Sequence, residues 1–279
     1  MVDYCYMIIL TLVLLGLSFG SFVNALVWRI HKQSTVMSKK GQAKYSIANG
    51  RSMCVHCEHV LSPLDLIPVL SWLMLRGKCR YCHKPIPDTP LSELATPLIF
   101  VISYLYWPQP FSTYQISLFG LWLIFVTGFM VLALYDLRWK LLPNRVVFPL
   151  MWLSLLQLLL GLVIFGQGIH ILPGIISASL VGGGIFWLLF QVSDGKWIGG
   201  GDVKLGFLIG SLFTSPLQSL LFIFIGSLIG TIVSLPLLLT GKAKRTSHLP
   251  FGPFLIVSAF IVRIFGAAII GWYKRQIGL

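Results

Sequence analysis

The sequence predicts an all-α polytopic integral membrane protein, with about eight transmembrane helices and a zinc-ribbon-like cytoplasmic loop between helices 1 and 2. Three observations carry this. Of 279 residues, 56% are hydrophobic and 10% charged, too few charges to wet the surface of a soluble domain, which is ordinarily about a quarter charged. The apolar residues fall in long runs rather than alternating with polar ones, which excludes a disordered chain and a transmembrane β-barrel. The formal net charge of +13, from 21 Lys and Arg against 8 Asp and Glu, gathers between those runs. Lys and Arg collect in this way in cytoplasmic loops.

The uncharged runs define the helices in order. Tyr4 to Trp28 is one span. It lacks the basic start and small-residue cleavage site of a signal peptide, so it reads as a retained helix. Runs from Leu94 to Tyr135, Val146 to Ser193 and Leu205 to Gly241 hold 42, 48 and 37 residues, each more than the roughly 20 that one span needs. Each is interrupted by uncharged turn residues, at 107–112, 166–170 and 214–216, so each reads as a hairpin. A last run, Thr246 to Tyr273, is broken by Arg263 alone. Eight spans put segments 29–93, 136–145, 194–204 and 242–245 on one side. These hold ten, three, two and three Lys or Arg, 18 of the 21, which makes that side cytoplasmic and puts both termini outside. Reading 205–241 as one tilted helix would send Lys242, Lys244 and Arg245 to the wrong side. No internal repeat is visible.

The first cytoplasmic loop contains Cys54-Val55-His56-Cys57 and Cys79-Arg80-Tyr81-Cys82. Two C-x2-C pairs at this separation have the spacing of a four-cysteine zinc ribbon, in which four thiolates complete a tetrahedron. A loop facing a reducing cytoplasm cannot rely on disulfides and is too small to build its own core, so a structural ion would supply much of its folding energy. His56, His59 and His83 stand beside the ligands and read as solvated loop histidines. Cys5 reads as packing sulfur.

Eight acids are few enough to take singly. Asp3, Glu58, Asp65, Asp88 and Asp194 fall in loops or at the terminus and read as solvated charges. Asp136 ends an apolar run, and Asp202 follows Gly199-Gly200-Gly201 at the mouth of the short sixth span. The topology puts both at the same cytoplasmic depth on different helices. A carboxylate at a membrane edge is costly unless it pairs or works. Two aspartates sharing a proton can act as general base and acid on a peptide bond. The bland alternatives are helix capping or pairing of Asp136 with Arg138 and of Asp202 with Lys204.

These residues carry a resemblance that covers nearly the whole chain. With Gly20-Ser21-Phe22-Val23-Asn24 and Arg29, the two C-x2-C pairs flanking Leu66-Ile67-Pro68-Val69-Leu70-Ser71-Trp72-Leu73, Glu93, Asp136-Leu137-Arg138 followed by Leu141-Leu142-Pro143-Asn144, the G-x-G-D-x-K box ending at Lys204, and Leu249-Pro250-Phe251-Gly252-Pro253-Phe254, the sequence resembles the type IV prepilin peptidases, bifunctional leader peptidases and N-methyltransferases. The resemblance implies Asp136 and Asp202 as the catalytic pair. It also implies cleavage of prepilins or pseudopilins on the cytoplasmic face of a bacterial inner membrane, after a glycine and usually before a phenylalanine. Methylation of the new N-terminus by S-adenosylmethionine would follow. Gly199, Gly201, Lys204, Pro250, Phe251, Gly252 and Pro253 are expected to support the site or meet substrate. Two positions depart from the pattern: Asn144 stands where many relatives carry Asp, and Pro97 where relatives often have small residues.

No strand, glycine-loop and helix unit of the dinucleotide-binding kind is present, so the methyl donor's site is sought between the first helix, the cysteine loop and Glu93. Asn24, Arg29 and Glu93 there offer an amide, a cation and an anion. Residues 1–107 would form the methyltransferase-associated part and 108–279 a six-helix peptidase domain. Gly16, Gly20, Ser21 and Gly182-Gly183-Gly184 read first as helix-packing residues, and Lys242-Ala243-Lys244-Arg245 as an anchor to anionic lipid. Trp107, Trp139, Trp197 and Trp272 read as an interfacial belt. The competing functions are an intramembrane aspartyl protease without methyl transfer and a cation transporter. A transporter would favour ionisable groups near mid-membrane. Nucleic acid is not an expected partner, because topology accounts for most of the positive charge.

Overall fold

The computed structural model describes residues 2–36, 38, 43–47, 50–86, 89–241, 249–276 and 278. Among these, every regular element is helical apart from two isolated antiparallel bridges. Eight apolar helices follow the predicted runs: α1 (Val2–Thr35), α2 (Leu91–Leu105), α3 (Thr113–Trp139), α4 (Asn144–Val163), α5 (Leu172–Val192), α6 (Gly200–Gly210), α7 (Pro216–Leu239) and α8 (Gly252–Gln276). Six are long and apolar enough to cross a membrane. The others, α2 with 15 residues and α6 with 11, rise only about 22 Å and 16 Å, short of a hydrocarbon core of about 30 Å. The expectation of eight spans is therefore adjusted to six full-length helices and two short ones. The run 205–241 is broken where its turn residues stand, with the Ser215 hydroxyl accepting the Leu217 N–H at the start of α7.

The chain divides into two compact units. The first comprises Met1–Tyr106 with the middle of α3, Trp122–Val131, and the second comprises Trp107–Leu121 with Leu132–Leu279.

In the first unit α1 packs along α2 at backbone distance. A Cβ on Gly16 would lie 2.3 Å from Pro97 Cα, and one on Gly20 would lie 2.5 Å from Ser92 O. The helix-packing role of these small residues is thus the observed one, and Pro97 is the surface Gly16 meets. The Trp122 indole donates to Ser103 Oγ at 3.0 Å in the interior of this unit.

In the second unit α5 packs against both α6 and α7, and α7 against α8. A Cβ on Gly206 would come 2.6 Å from Gly182 O, so the glycines let α5 and α6 approach at backbone distance. Trp107 departs from the expected belt: it is buried, donates to Gln115 Oε1 at 3.1 Å, and carries the Arg263 guanidinium 5.1 Å from its ring centroid. A cation inside a span needs such a face. Trp197 and Trp272 are exposed, as a belt requires. The lipid-anchor segment Lys242–Arg245, Asp88 and the Asp3 side chain lie outside what is described.

Candidate functional site

In the second unit, Asp136 lies in the last turn of α3, which Lys140 closes in the left-handed conformation at φ 55°. Its side chain is buried, 5% exposed, and Oδ2 accepts the Gly252 N–H at 3.0 Å. Gly252 opens α8, and a Cβ there would lie 2.7 Å from that same oxygen, so the approach of backbone to carboxylate requires glycine. Asp202 sits in the first turn of α6, its N–H bonded to the Gly199 carbonyl at 3.0 Å. Leu142 packs between Gly201, which precedes Asp202, and Gly252, which bonds Asp136, so carboxylates from two helices share one region.

The surroundings are apolar and close-packed. A Cβ on Gly201 would meet Leu142 Cβ at 3.1 Å, and one on Gly252 would meet Leu142 Cδ2 at 3.5 Å. Leu142 is thus wedged between the two elements that carry the site. Sequence reading passed over it as one member of the Leu141–Asn144 motif, and an apolar residue between the two aspartate segments was the available signal. Lys204 does not pair with Asp202. Its Nζ donates to Asn144 Oδ1 at 2.9 Å and lies 5.6 Å from the Phe148 ring centroid. Neither ion pair of the bland reading forms. Among the described residues the ion pairs are Lys44–Glu58 and Arg80–Asp65. Pro250 and Phe251 lead into α8, with Phe251 edge-on to Phe186 at 6.0 Å, and Pro253 stands in its first turn.

In the first unit the cysteine loop is built from one turn used twice. Cys54 N–H bonds His59 O and Glu58 N–H bonds Cys54 O. Cys79 N–H bonds Lys84 O and His83 N–H bonds Cys79 O. Glu58 and His83 both take φ 56°. The repeat is invisible in sequence beyond the cysteines themselves. The four Sγ atoms lie within 4.8 Å of one another, with Cys54 and Cys82 at 3.8 Å. A tetrahedron of Zn–S bonds of about 2.3 Å needs S···S of about 3.8 Å, so the cluster is compatible with a structural zinc ion. The neighbouring histidines are otherwise engaged: the His56 ring contacts Pro85 O at 3.1 Å, and His59 stacks on Tyr81 at 3.7 Å.

Asp65 overturns its reading as a solvated loop charge. Its side chain is 3% exposed and accepts Arg80 Nε at 2.7 Å, Ser62 Oγ at 2.8 Å and Tyr81 Oη at 3.1 Å. Burial pushes its pKa up, but the hydrogen bonds from Ser62, Arg80 and Tyr81 outweigh it and hold the carboxyl below its ordinary value. The second knuckle is thereby tied to the chain between the knuckles.

A cavity of about 430 Å³ lies in this unit, within the range of small-molecule sites. Asn24, Arg29 and Glu93 all line it, beside Trp28, Trp72 and Asp65. Two of the three predicted groups are partly spent on structure. Arg29 Nη1 donates to Ile47 O at 3.2 Å, and Glu93 Oε2 accepts the Val69 N–H at 2.6 Å, holding Val69 at φ 62°. Asn24 keeps its amide uncommitted among the described residues. The Trp72 indole N–H is buried without a partner among them.

Comparison with known proteins adds to this geometry. Residues 14–107 match the sequence model described as the bacterial peptidase A24 N-terminal domain, and residues 123–235 match that of the type IV leader peptidase family. The prepilin leader peptidase/N-methyltransferase of Pseudomonas aeruginosa is 32% identical, over 97% of this chain and 94% of its own length. The enzyme of the same name from Aeromonas hydrophila is 30% identical over 93% and 91%. The type 4 prepilin-like proteins leader peptide-processing enzyme of Escherichia coli O78:H11 is 32% identical over 86% and 87%. No solved structure matches.

Proposed function

The chain belongs to the type IV leader peptidase family, and on that premise we propose that it is a multi-pass aspartyl endopeptidase of a bacterial cytoplasmic membrane. It removes the basic leader of prepilins or pseudopilins at the cytoplasmic face, after a glycine and usually before a phenylalanine. It then N-methylates the new N-terminus. The observation that supports cleavage is Asp136 Oδ2 held at 3.0 Å by the Gly252 N–H, with Leu142 packed between Gly252 and the Gly201 that precedes Asp202.

The reaction follows from that pair. One ionised carboxylate takes a proton from water, while the other, protonated, donates to the scissile carbonyl oxygen. The water oxygen bonds to the carbonyl carbon, giving a tetrahedral diol. Transfer of a proton to the leaving nitrogen then lets the C–N bond break, yielding a carboxylic acid and a free amine, with the pair returned to its starting protonation. With Oδ2 tied to Gly252, Asp136 keeps Oδ1 for this exchange. Gly201 and Leu142 hold the two helix ends in register, and Lys204 is kept aside by Asn144. Pro250, Phe251 and Pro253 fix the turn that presents Gly252.

S-adenosylmethionine supplies, when bound, a methyl group on a positively charged sulfur. The first unit's cavity is its proposed place, with Asn24 meeting the ligand and Arg29 and Glu93 holding the walls as well as facing it. Zinc on Cys54, Cys57, Cys79 and Cys82 is proposed as structural. Residues 1–107 then serve methyl transfer and 108–279 cleavage, with prepilin-like substrates and membrane lipids as partners.

Purified protein incubated with a prepilin-like substrate and labelled S-adenosylmethionine tests both halves. Asp136→Ala and Asp202→Ala are each expected to abolish cleavage. Persistent cleavage in either variant would remove the catalytic assignment, and cleavage without label transfer would remove the methyltransferase.

A further inference from the structure

We infer that the groove between α7 and α8 receives the substrate residue that follows the cut, and that its walls set the preference for phenylalanine there. The inference rests on the cleavage half of the proposed function. Both helices lie in the second unit. They touch where α7 carries glycines. A Cβ on Gly226 would lie 3.0 Å from Leu255 Cδ2, and one on Gly230 would lie 3.3 Å from Phe254 Cδ2 and 3.5 Å from Phe251 Cε2. Gly252 starts α8, whereas α7 continues to Leu239. From Gly230 to Leu239 it rises about 14 Å, past the start of its neighbour. A cavity of about 400 Å³ opens beside that stretch, within the range of small-molecule sites.

The lining of this cavity is apolar and uncharged. Leu235, Leu238 and Leu249 are exposed along it, and the rings of Phe251 and Phe254 close it beside Gly230. Phe251 is fixed in turn, edge-on to Phe186 at 6.0 Å. The hydroxyls on this face of α7 are spent within the helix. Thr231 Oγ1 donates to Ser227 O at 2.8 Å, and Ser234 Oγ donates to Gly230 O at 2.6 Å. They leave no unmet donor against an apolar guest.

The groove joins the reaction centre through the backbone. Phe251 lines it, and the next residue, Gly252, gives its N–H to Asp136 Oδ2 at 3.0 Å. Neighbouring Cα atoms are 3.8 Å apart, so a peptide bond held at Asp136 has the groove beside one of its flanking residues. Charge decides which one. The basic leader finds no partner on uncharged walls, whereas the residues after the cut are apolar and arrive from the bilayer. The exposed leucines of α7, a helix long and apolar enough to span a membrane, open toward that bilayer. Two phenyl rings favour an aromatic guest over an aliphatic one, because ring pairs attract beyond their buried area.

Full-length protein in detergent is assayed with two prepilin-like substrates that differ only in Phe or Ala after the cut, and kcat is separated from KM. Wild type is expected to favour the Phe substrate at least tenfold in kcat/KM. Ser234→Leu, which fills the groove from α7, is expected to raise KM for the Phe substrate at least tenfold with kcat retained, the mark of lost binding. The Ala substrate is expected to stay within about twofold, so the preference disappears. Ile232→Leu, exposed on α7 outside the groove, is expected to behave as wild type. In a second measurement a benzophenone-bearing residue replaces that Phe in substrate mixed with Asp202→Ala, and light-driven adducts are expected on residues 230–238 or 249–254. An unchanged preference in Ser234→Leu, or an equal loss with both substrates, would overturn the inference. Adducts confined to other helices would overturn it too, leaving the groove to lipid or to a second copy of the chain. Failure of wild type to cleave either substrate would remove the cleavage reading as well.

Discussion

Replacing Gly252 by alanine tests the catalytic geometry at its tightest point. The new methyl would lie 2.7 Å from Asp136 Oδ2 and 3.4 Å from its Cγ, the first distance closer than carbon and oxygen tolerate without movement. Asp136 must rotate or the start of α8 must withdraw. Either movement breaks the 3.0 Å bond between the Gly252 N–H and Oδ2. A hydrogen bond to a charged group contributes about 1.5–3 kcal/mol, equivalent to roughly a 10- to 150-fold loss in rate if the bond is needed in the transition state. The assay is kcat/KM for leader cleavage by the full-length protein, with thermal unfolding and zinc content measured in parallel. Gly271→Ala, in the same helix with nothing within 4 Å of the added methyl, is the control and is expected to cleave normally. Gly252→Ala within twofold of wild type would refute the view that this contact holds the catalytic carboxylate.

Two further outcomes are expected. Gly16→Ala puts a methyl 2.3 Å from Pro97 Cα, a backbone atom that cannot rotate away. Forcing α1 from α2 is expected to cost about 1–3 kcal/mol, seen as a lower thermal midpoint, and an unchanged midpoint would contradict the packing. In the metal-free loop, burial pushes the Cys79 thiol up. Cys57, although a backbone hydrogen bond lowers it, is pushed up to about 11 by burial and the adjoining Cys54 and Cys82 thiols. Both hold protons at neutral pH, so zinc binding there is expected to release at least two, and affinity to fall as pH falls because protons compete for the thiolates. Calorimetry in buffers of different ionisation enthalpy counts them, and release of fewer would contradict this.

Much of the protein follows from sequence because a membrane imposes a strict rule on composition. Each apolar run must be helical to satisfy its backbone, so the helices and their breaks were readable from spacing alone. The cysteine cluster was readable for a similar reason, since four thiolates on two C-x2-C turns admit few arrangements. Contacts between residues distant in sequence were not readable. Nothing in the pattern shows that Asp136 is met by the N–H of Gly252, that Leu142 wedges both site elements, or that Lys204 turns to Asn144 rather than to Asp202. Asp65 looked like any loop acid until folding buried it against Arg80 and Tyr81. Nor does the pattern show that Arg29 and Glu93, read as ligand groups, also bond Ile47 O and the Val69 N–H. Spacing determines which residue types share a helix face or a depth. Which partner satisfies a buried polar group is decided only when packing excludes water and leaves one neighbour within reach.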